Sequence, residues 1–139
     1  MLVKIMRWTL FLILLILIGF FYPLLTDNVE SFYNTYGFSG KNLVERPYVL
    51  VTSIFLHGGL EHLLSNILVL LFFGMAVESE LGKNRMLLIF FLGAFVGSLL
   101  SLAVYPFDSL AIGASGGIFA LVGVGMLVRP LDLSLYPLV

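Results

Sequence analysis

The sequence predicts an all-α fold, a polytopic transmembrane bundle of four helices, and three observations carry that expectation. Of 139 residues, 60% are hydrophobic and 11% charged, against about 25% charged in soluble domains, and the mean hydropathy is +1.11. The apolar residues fall into long runs, three of them near the roughly 17–25 residues that cross about 30 Å of hydrocarbon. The basic residues gather at the ends of those runs on one side. A formal net charge of -1 gives no footing for nucleic acid, and the absence of cysteine excludes disulfides and thiol chemistry. Residues 1–139 are expected to form one membrane domain.

The first helix is read over residues 6–25, nearly continuous apolar sequence behind Lys4 and Arg7. It ends in GFFYPLL without a small-residue cleavage site, so it is a retained span rather than a signal peptide. Residues 26–56 then form a long connection, with turn signals at Tyr36-Gly37 and Ser39-Gly40. Its aromatics (Phe32, Tyr33, Tyr36, Phe38, Tyr48, Phe55) interleave with polar groups. That mixture suits an outer-face loop half sunk in the headgroup region. The second helix is placed at residues 60–77, ahead of Glu78, Glu80, Lys83 and Arg85, with the two glutamates as a solvated inner rim. The third occupies residues 86–105, closed by Pro106. The fourth occupies residues 115–128, ending at Arg129-Pro130. After Pro130 the chain turns apolar again, like the start of a fifth span. With a cytoplasmic N-terminus, Lys4, Arg7, Lys83, Arg85 and Arg129 lie inside and only Lys41 and Arg46 outside. The positive-inside rule selects that topology, for a multi-pass protein of the cell membrane.

Counting depth along the helices brings the polar residues together. A helix rises about 1.5 Å per residue. If Arg129 marks the inner boundary, Ser115 lies about 21 Å up a core of about 30 Å. A helix that starts so deep needs non-helical backbone leading down to it. Such backbone is tolerated only where protein buries it or water fills a cavity, so a wet recess open to the outside follows. Counting likewise from Glu78, Asn66 is about 18 Å up and His62 about 24 Å up. The two are one turn apart and share a face, level with Ser115. Intramembrane polar residues of this kind face the bundle interior and mark function by default. Gly113 lets the descending backbone turn, and Gly116 lets another backbone or a substrate approach the serine. Gly116, Ala120 and Gly123 form a small-residue stripe on the fourth helix, matched on the third by Gly93, Gly97 and Ser101, a pattern that lets membrane helices pack closely.

Three chemistries compete for this layer. In acyl transfer, Ser115 attacks a carbonyl while His62, Asn66 and the free N–H groups heading the fourth helix hold the oxyanion. A metal site is disfavoured, because H-E-x-x-H is absent and Asn66, four residues after His62, is a poor zinc ligand. In the third reading the layer binds a peptide, lipid or partner helix, or its members merely hydrogen-bond one another. His57, at the end of the loop, is open between anchoring the loop and belonging to the site, and Glu61 is read as interacting with its helix N-terminus.

The segments HGGLEHLLSNILVLLFFG, AVESELG and GASGGIFALVG, in this order and spacing, resemble the rhomboid intramembrane serine proteases. The likeness runs from about Thr52 to Gly125. It implies Ser115 as the nucleophile, His62 and Asn66 at the oxyanion hole, His57 as an earlier histidine near the hole, and Phe119 at a position usually aromatic beside the catalytic histidine. It implies cleavage of other membrane proteins in or near their transmembrane helices, without metal or cofactor. Two departures stand out. Tyr48-Val49 replaces the Trp-Arg pair that the family's first loop often carries. The rhomboid core also has six helices with its base histidine on the sixth, whereas this sequence reads as four. The 139 residues alone are therefore expected to be inactive. The open side of the bundle is expected to be completed by missing helices or a second copy. The alternative is a pseudoprotease that binds transmembrane clients without cutting them.

Overall fold

The computed structural model describes residues 7–129. Helix α1 (Arg7–Phe21) runs into a 3-10 turn, Tyr22–Leu25, that carries Pro23. The long connection that follows, expected on the outer face, holds α2 (Val29–Tyr36), α3 (Gly40–Glu45) and α4 (Val49–Thr52), the last followed by a 3-10 turn, Ser53–Phe55. Then come α5 (Leu60–Leu81), α6 (Lys83–Val104) and α7 (Ser115–Val128). The all-α expectation holds: among the described residues the only β pairing is an isolated antiparallel bridge between Phe38 and Ala111. Arg7–Leu25, α5 and α6 are long and apolar enough to cross a membrane, while α7 is shorter. The apolar tail read as a fifth span and the inner-side Lys4 lie outside the described residues.

Two boundaries are longer than the hydropathy suggests. The charges from Glu78 to Arg85 end the apolar run, yet the helix continues to Leu81, and α6 starts at Lys83 rather than Met86. What separates the helices is Gly82, at φ +84°, a conformation that costs any residue with a Cβ about 1–2 kcal/mol. Charged side chains on a helix do not break it; a left-handed residue does.

The core sits where α1, α5, α6 and α7 meet. Leu63, Asn66, Leu70, Gly74 and Val77 line the buried face of α5 at spacings of three and four, the period that keeps residues on one helix face. They meet Leu12 and Ile16 of α1, Met86, Phe90 and Ala94 of α6, and Ile118 and Leu121 of α7. The small-residue stripes pack α6 on α7 as expected for Gly93, Gly97, Gly116 and Ala120. A methyl added to Gly93 would run into the Ala120 methyl and lie 2.8 Å from the Gly116 carbonyl. Gly123 does not belong to that contact: nothing lies within 4 Å of the space where its side chain would be.

Glu78 corrects the reading of a solvated rim. Its side chain is 2% exposed and accepts from the Trp8 N–H (3.1 Å), the Thr9 N–H (2.8 Å) and the Thr9 hydroxyl (2.6 Å). Gly74, one turn earlier, leaves room for Thr9 to come within 2.8 Å of its missing methyl, so α1 reaches the carboxylate. A buried carboxylate is tolerable when several donors converge on it. Glu80, by contrast, is exposed and pairs with Arg129, whose Nε donates at 2.7 Å.

Candidate active site

Ser115 is the first residue of α7, and its N-cap is Ala114, which supplies no side-chain cap. The first N–H to bond back into the helix is that of Ile118, to the Ala114 carbonyl at 3.0 Å. The N–H groups of Ser115, Gly116 and Gly117 thus form an uncapped helix head, a place where negative charge is favoured. The usual Ser, Asp or Asn at an N-cap would occupy one of those donors; alanine leaves them available.

The strap that leads to Ser115, residues 106–114, is non-helical, as the depth count requires. At Gly113 the backbone takes φ +119°, and its N–H donates to the Ser53 carbonyl at 2.9 Å. A methyl added there would fall 2.8 Å from His62 Cε1, 3.1 Å from His62 Nε2 and 3.9 Å from Asn66 Nδ2. Glycine is thus favoured twice over at position 113, for its φ and for the approach of His62, while Asn66 stands at ordinary contact distance. The backbone two residues before Ser115 therefore lies directly against His62 and Asn66.

Asn66 is 7% exposed, and its Nδ2 has no hydrogen-bond partner, so it retains donors. An open cavity of about 220 Å³ has the strap in its wall, and neither His62 nor Asn66 lines it. Ser115, Gly116 and Phe119 of α7, Gly97 and Ser101 of α6, and Gly113 line it. Gly116 has a double setting. It lines this cavity, but the close approach that it permits is to the α6 backbone at Gly93, 2.8 Å from its missing methyl. Phe119 is 73% exposed, its ring at the cavity rim. Among the described residues no hydrogen bond joins Ser115 to a histidine, and no group of three His, Cys, Asp or Glu side chains is placed to hold a metal.

His57 is 0% exposed, with neither ring nitrogen hydrogen-bonded, and its ring centroid is 5.0 Å from that of His62. Burial, and secondarily the neighbouring His62, lower its pKa to about 4, with the Phe55 backbone pulling weakly the other way. His57 is accordingly a neutral ring at ordinary pH, packed behind His62. Its carbonyl accepts from the Tyr33 hydroxyl at 3.0 Å, which ties His57 to the long loop as the anchoring reading expects.

The residues that hold the outer loop were not singled out from sequence. Asn42 is buried and donates through Nδ2 to the carbonyls of Asn34 (2.8 Å) and Gly37 (2.9 Å), while Arg46 Nη2 donates to its Oδ1 at 2.6 Å. Thr52 ties α4 to α2 through the Tyr36 carbonyl at 2.7 Å. These bonds anchor the loop although it has no Trp-Arg pair. The only local signal was Ser39 followed three residues later by Asn42, an N-cap pattern that the structure realises with a 3.0 Å bond from Asn42 N–H to Ser39 Oγ.

Three helices long and apolar enough to cross a membrane, a serine at the head of a fourth, shorter helix, and a histidine and an asparagine against the backbone that leads to it define a polytopic membrane protein. The Rhomboid domain family model matches residues 44–136, and the chain belongs to the rhomboid family. It is 38% identical over 107 residues to RHOMBOID-like protein 4 of Arabidopsis thaliana, covering 76% of this chain and 27% of that protein. It is 41% identical over 75 residues to the putative rhomboid protease YdcA of Bacillus subtilis, covering 54% and 38%. Against rhomboid-like protease 3 of Toxoplasma gondii the identity is 36% over 74 residues, covering 53% and 28%. The chain thus spans 27–38% of the length of these relatives. No solved structure matches it.

Proposed function

We propose that the protein is an intramembrane serine endopeptidase that cleaves transmembrane proteins in or near their helices. Ser115 Oγ attacks the peptide carbonyl carbon and the carbonyl oxygen becomes an oxyanion. His62, Asn66 and the α7 head N–H groups hold that charge. The C–N bond then breaks as the amine takes a proton, and water hydrolyses the acyl-enzyme. The observation that supports this best is the contact at Gly113. Two side-chain donors from α5 lie against the backbone that enters the nucleophile's helix, and one of them, Asn66 Nδ2, is buried without a partner. Donors left without partners favour developing charge; a purely structural trio would have satisfied them internally.

The base in this reading is neither His57 nor His62. His57 is sealed behind His62, and using His62 as base would remove it from the oxyanion. The resemblance assigns the base to a histidine on a later helix. Basic residues at the α5–α6 turn and at Arg129 favour a cytoplasmic N-terminus. Transmembrane substrates, the plasma membrane as location, and completion of the bundle by further helices or a second copy belong to the same proposal.

A fluorophosphonate probe tests the chemistry, since it forms an Oγ–P bond and releases fluoride only at an activated serine. Labelling is expected in the full natural chain, lost in Ser115→Ala, and absent from the 139 residues by themselves, where loss of a serine protease's histidine lowers turnover on the order of 10⁶-fold. A full chain that binds transmembrane peptides equally with and without Ser115, and never labels, is a pseudoprotease.

A further inference from the structure

The geometry points to the outer loop as a positioning clamp that sets Ser115 against the oxyanion donors; this deepens the proteolytic reading and rests on it. Four contacts run from the loop to the two walls of the site. Phe38 and Ala111 exchange both backbone hydrogen bonds, Phe38 N–H to Ala111 O at 3.1 Å and Ala111 N–H to Phe38 O at 2.7 Å. Gly40 N–H donates to the Phe107 carbonyl at 2.8 Å, and Gly113 N–H to the Ser53 carbonyl at 2.9 Å. The strap is therefore held at Phe107, Ala111 and Gly113, the last two residues short of Ser115. The fourth contact goes to the other wall: Tyr33 donates to the His57 carbonyl at 3.0 Å, and the His57 ring backs His62 at 5.0 Å.

The loop is built stiff enough to act in this way. Phe38 is fully buried, so its side chain pins the bridge from beneath. The Gly37 carbonyl is held by Asn42. A methyl added to Gly37 would lie 2.6 Å from the loop's own Tyr33 carbonyl and 3.0 and 3.3 Å from the side-chain ends of Leu110 and Ile112 on the strap, so loop and strap are in close contact there. One segment, residues 33–53, thereby fixes the separation between nucleophile and oxyanion donors, which neither α5 nor α7 fixes alone. Tyr33 and Phe38 act through other residues and are positioning residues rather than catalytic ones.

Gly37→Ala crowds the Tyr33 carbonyl and the Leu110 and Ile112 side chains, disturbing the loop where it meets the strap, and Tyr33→Phe removes one hydroxyl while keeping the ring, a milder change should the first variant fold poorly. With the full chain in proteoliposomes and a fluorophosphonate as probe, the maximal rate of Ser115 modification is expected to fall about 10- to 100-fold in Gly37→Ala and about five-fold in Tyr33→Phe. The half-saturating probe concentration should stay within about two-fold, since misplacement of the reacting groups, not binding, is what changes. Amide exchange at Ala111 and Gly113 should quicken in Gly37→Ala. Normal exchange there, or a changed half-saturation with an unchanged maximal rate, overturns the clamp. If Ser115→Ala labels as wild type does, the proteolytic reading fails, and the exchange measurement alone decides the clamp: quickened exchange upholds it and unchanged exchange rejects it.

Discussion

His57 shows how a single ring can be read from burial alone. A histidine without solvent contact bears the full cost of burying a cation, His62 beside it adds to that cost, and the Phe55 backbone offsets only part of it. Its pKa in the folded protein is about 4, below the roughly 6.5 of an unfolded chain. Between those values the unfolded state binds the extra proton, so stability rises with pH across the window and is fully present above about 6.5. As pH falls from 6.5 towards 4, the protein should lose up to about 3 kcal/mol through this group. Reversible unfolding in mixed detergent micelles at several pH values measures the slope. The polar but non-titrating His57→Gln should flatten it; an equal slope in that variant would assign the effect to other groups.

Between elements, the Glu78 contact ties α1 to α5 across 69 residues of sequence, through two backbone donors and one hydroxyl. Charge-assisted bonds to a buried carboxylate are each worth about 1.5–3 kcal/mol, whereas an exposed pair such as Glu80–Arg129 is worth about 0–1 kcal/mol. Glu78→Gln swaps an acceptor for a donor facing other donors and should lower stability by roughly 2–4 kcal/mol. Glu80→Gln should cost less than about 1 kcal/mol. The same micelle unfolding assay ranks the two, and equal losses would contradict the burial of Glu78. This contact also shows where sequence reasoning stops. Beside Glu80, Lys83 and Arg85, Glu78 looks like one more charge at a membrane edge. Only the approach of Thr9 over Gly74 makes it a buried acceptor, and no local pattern encodes a partner so distant. The helices of the outer loop were invisible for another reason: at eight, six and four residues they are too short to show a hydrophobic period. The long apolar spans were legible, because three runs of near-continuous hydrophobic sequence leave a helix as the structure that satisfies its own backbone in hydrocarbon.

For the whole molecule, α7 holds the argument about water. Its 14 residues extend about 21 Å, short of a hydrocarbon core of about 30 Å, and the strap from Pro106 to Ala114 makes up the difference without helical bonds. Part of that strap is satisfied by the outer loop, through the bonds at Phe107, Ala111 and Gly113. What remains faces the cavity beside Ser115, and irregular backbone at such depth is stable only against protein or water. Under the proposed topology and chemistry, water is expected to reach the serine from the outer face, as hydrolysis of an acyl-enzyme requires. A thiol reports this directly, since the chain has no cysteine of its own and maleimides react with the hydrated thiolate. In proteoliposomes of defined orientation, Ser115→Cys should react with a charged, membrane-impermeant maleimide added to the outer side. Leu92→Cys, on an outward-facing position of α6, should react only with a lipid-soluble reagent, because its surroundings are hydrocarbon. Labelling of Ser115→Cys from the opposite side would reverse the topology inferred from the basic residues. Failure to label from either side would mean that the serine is dry, and an acyl-enzyme formed there would have no water to release it.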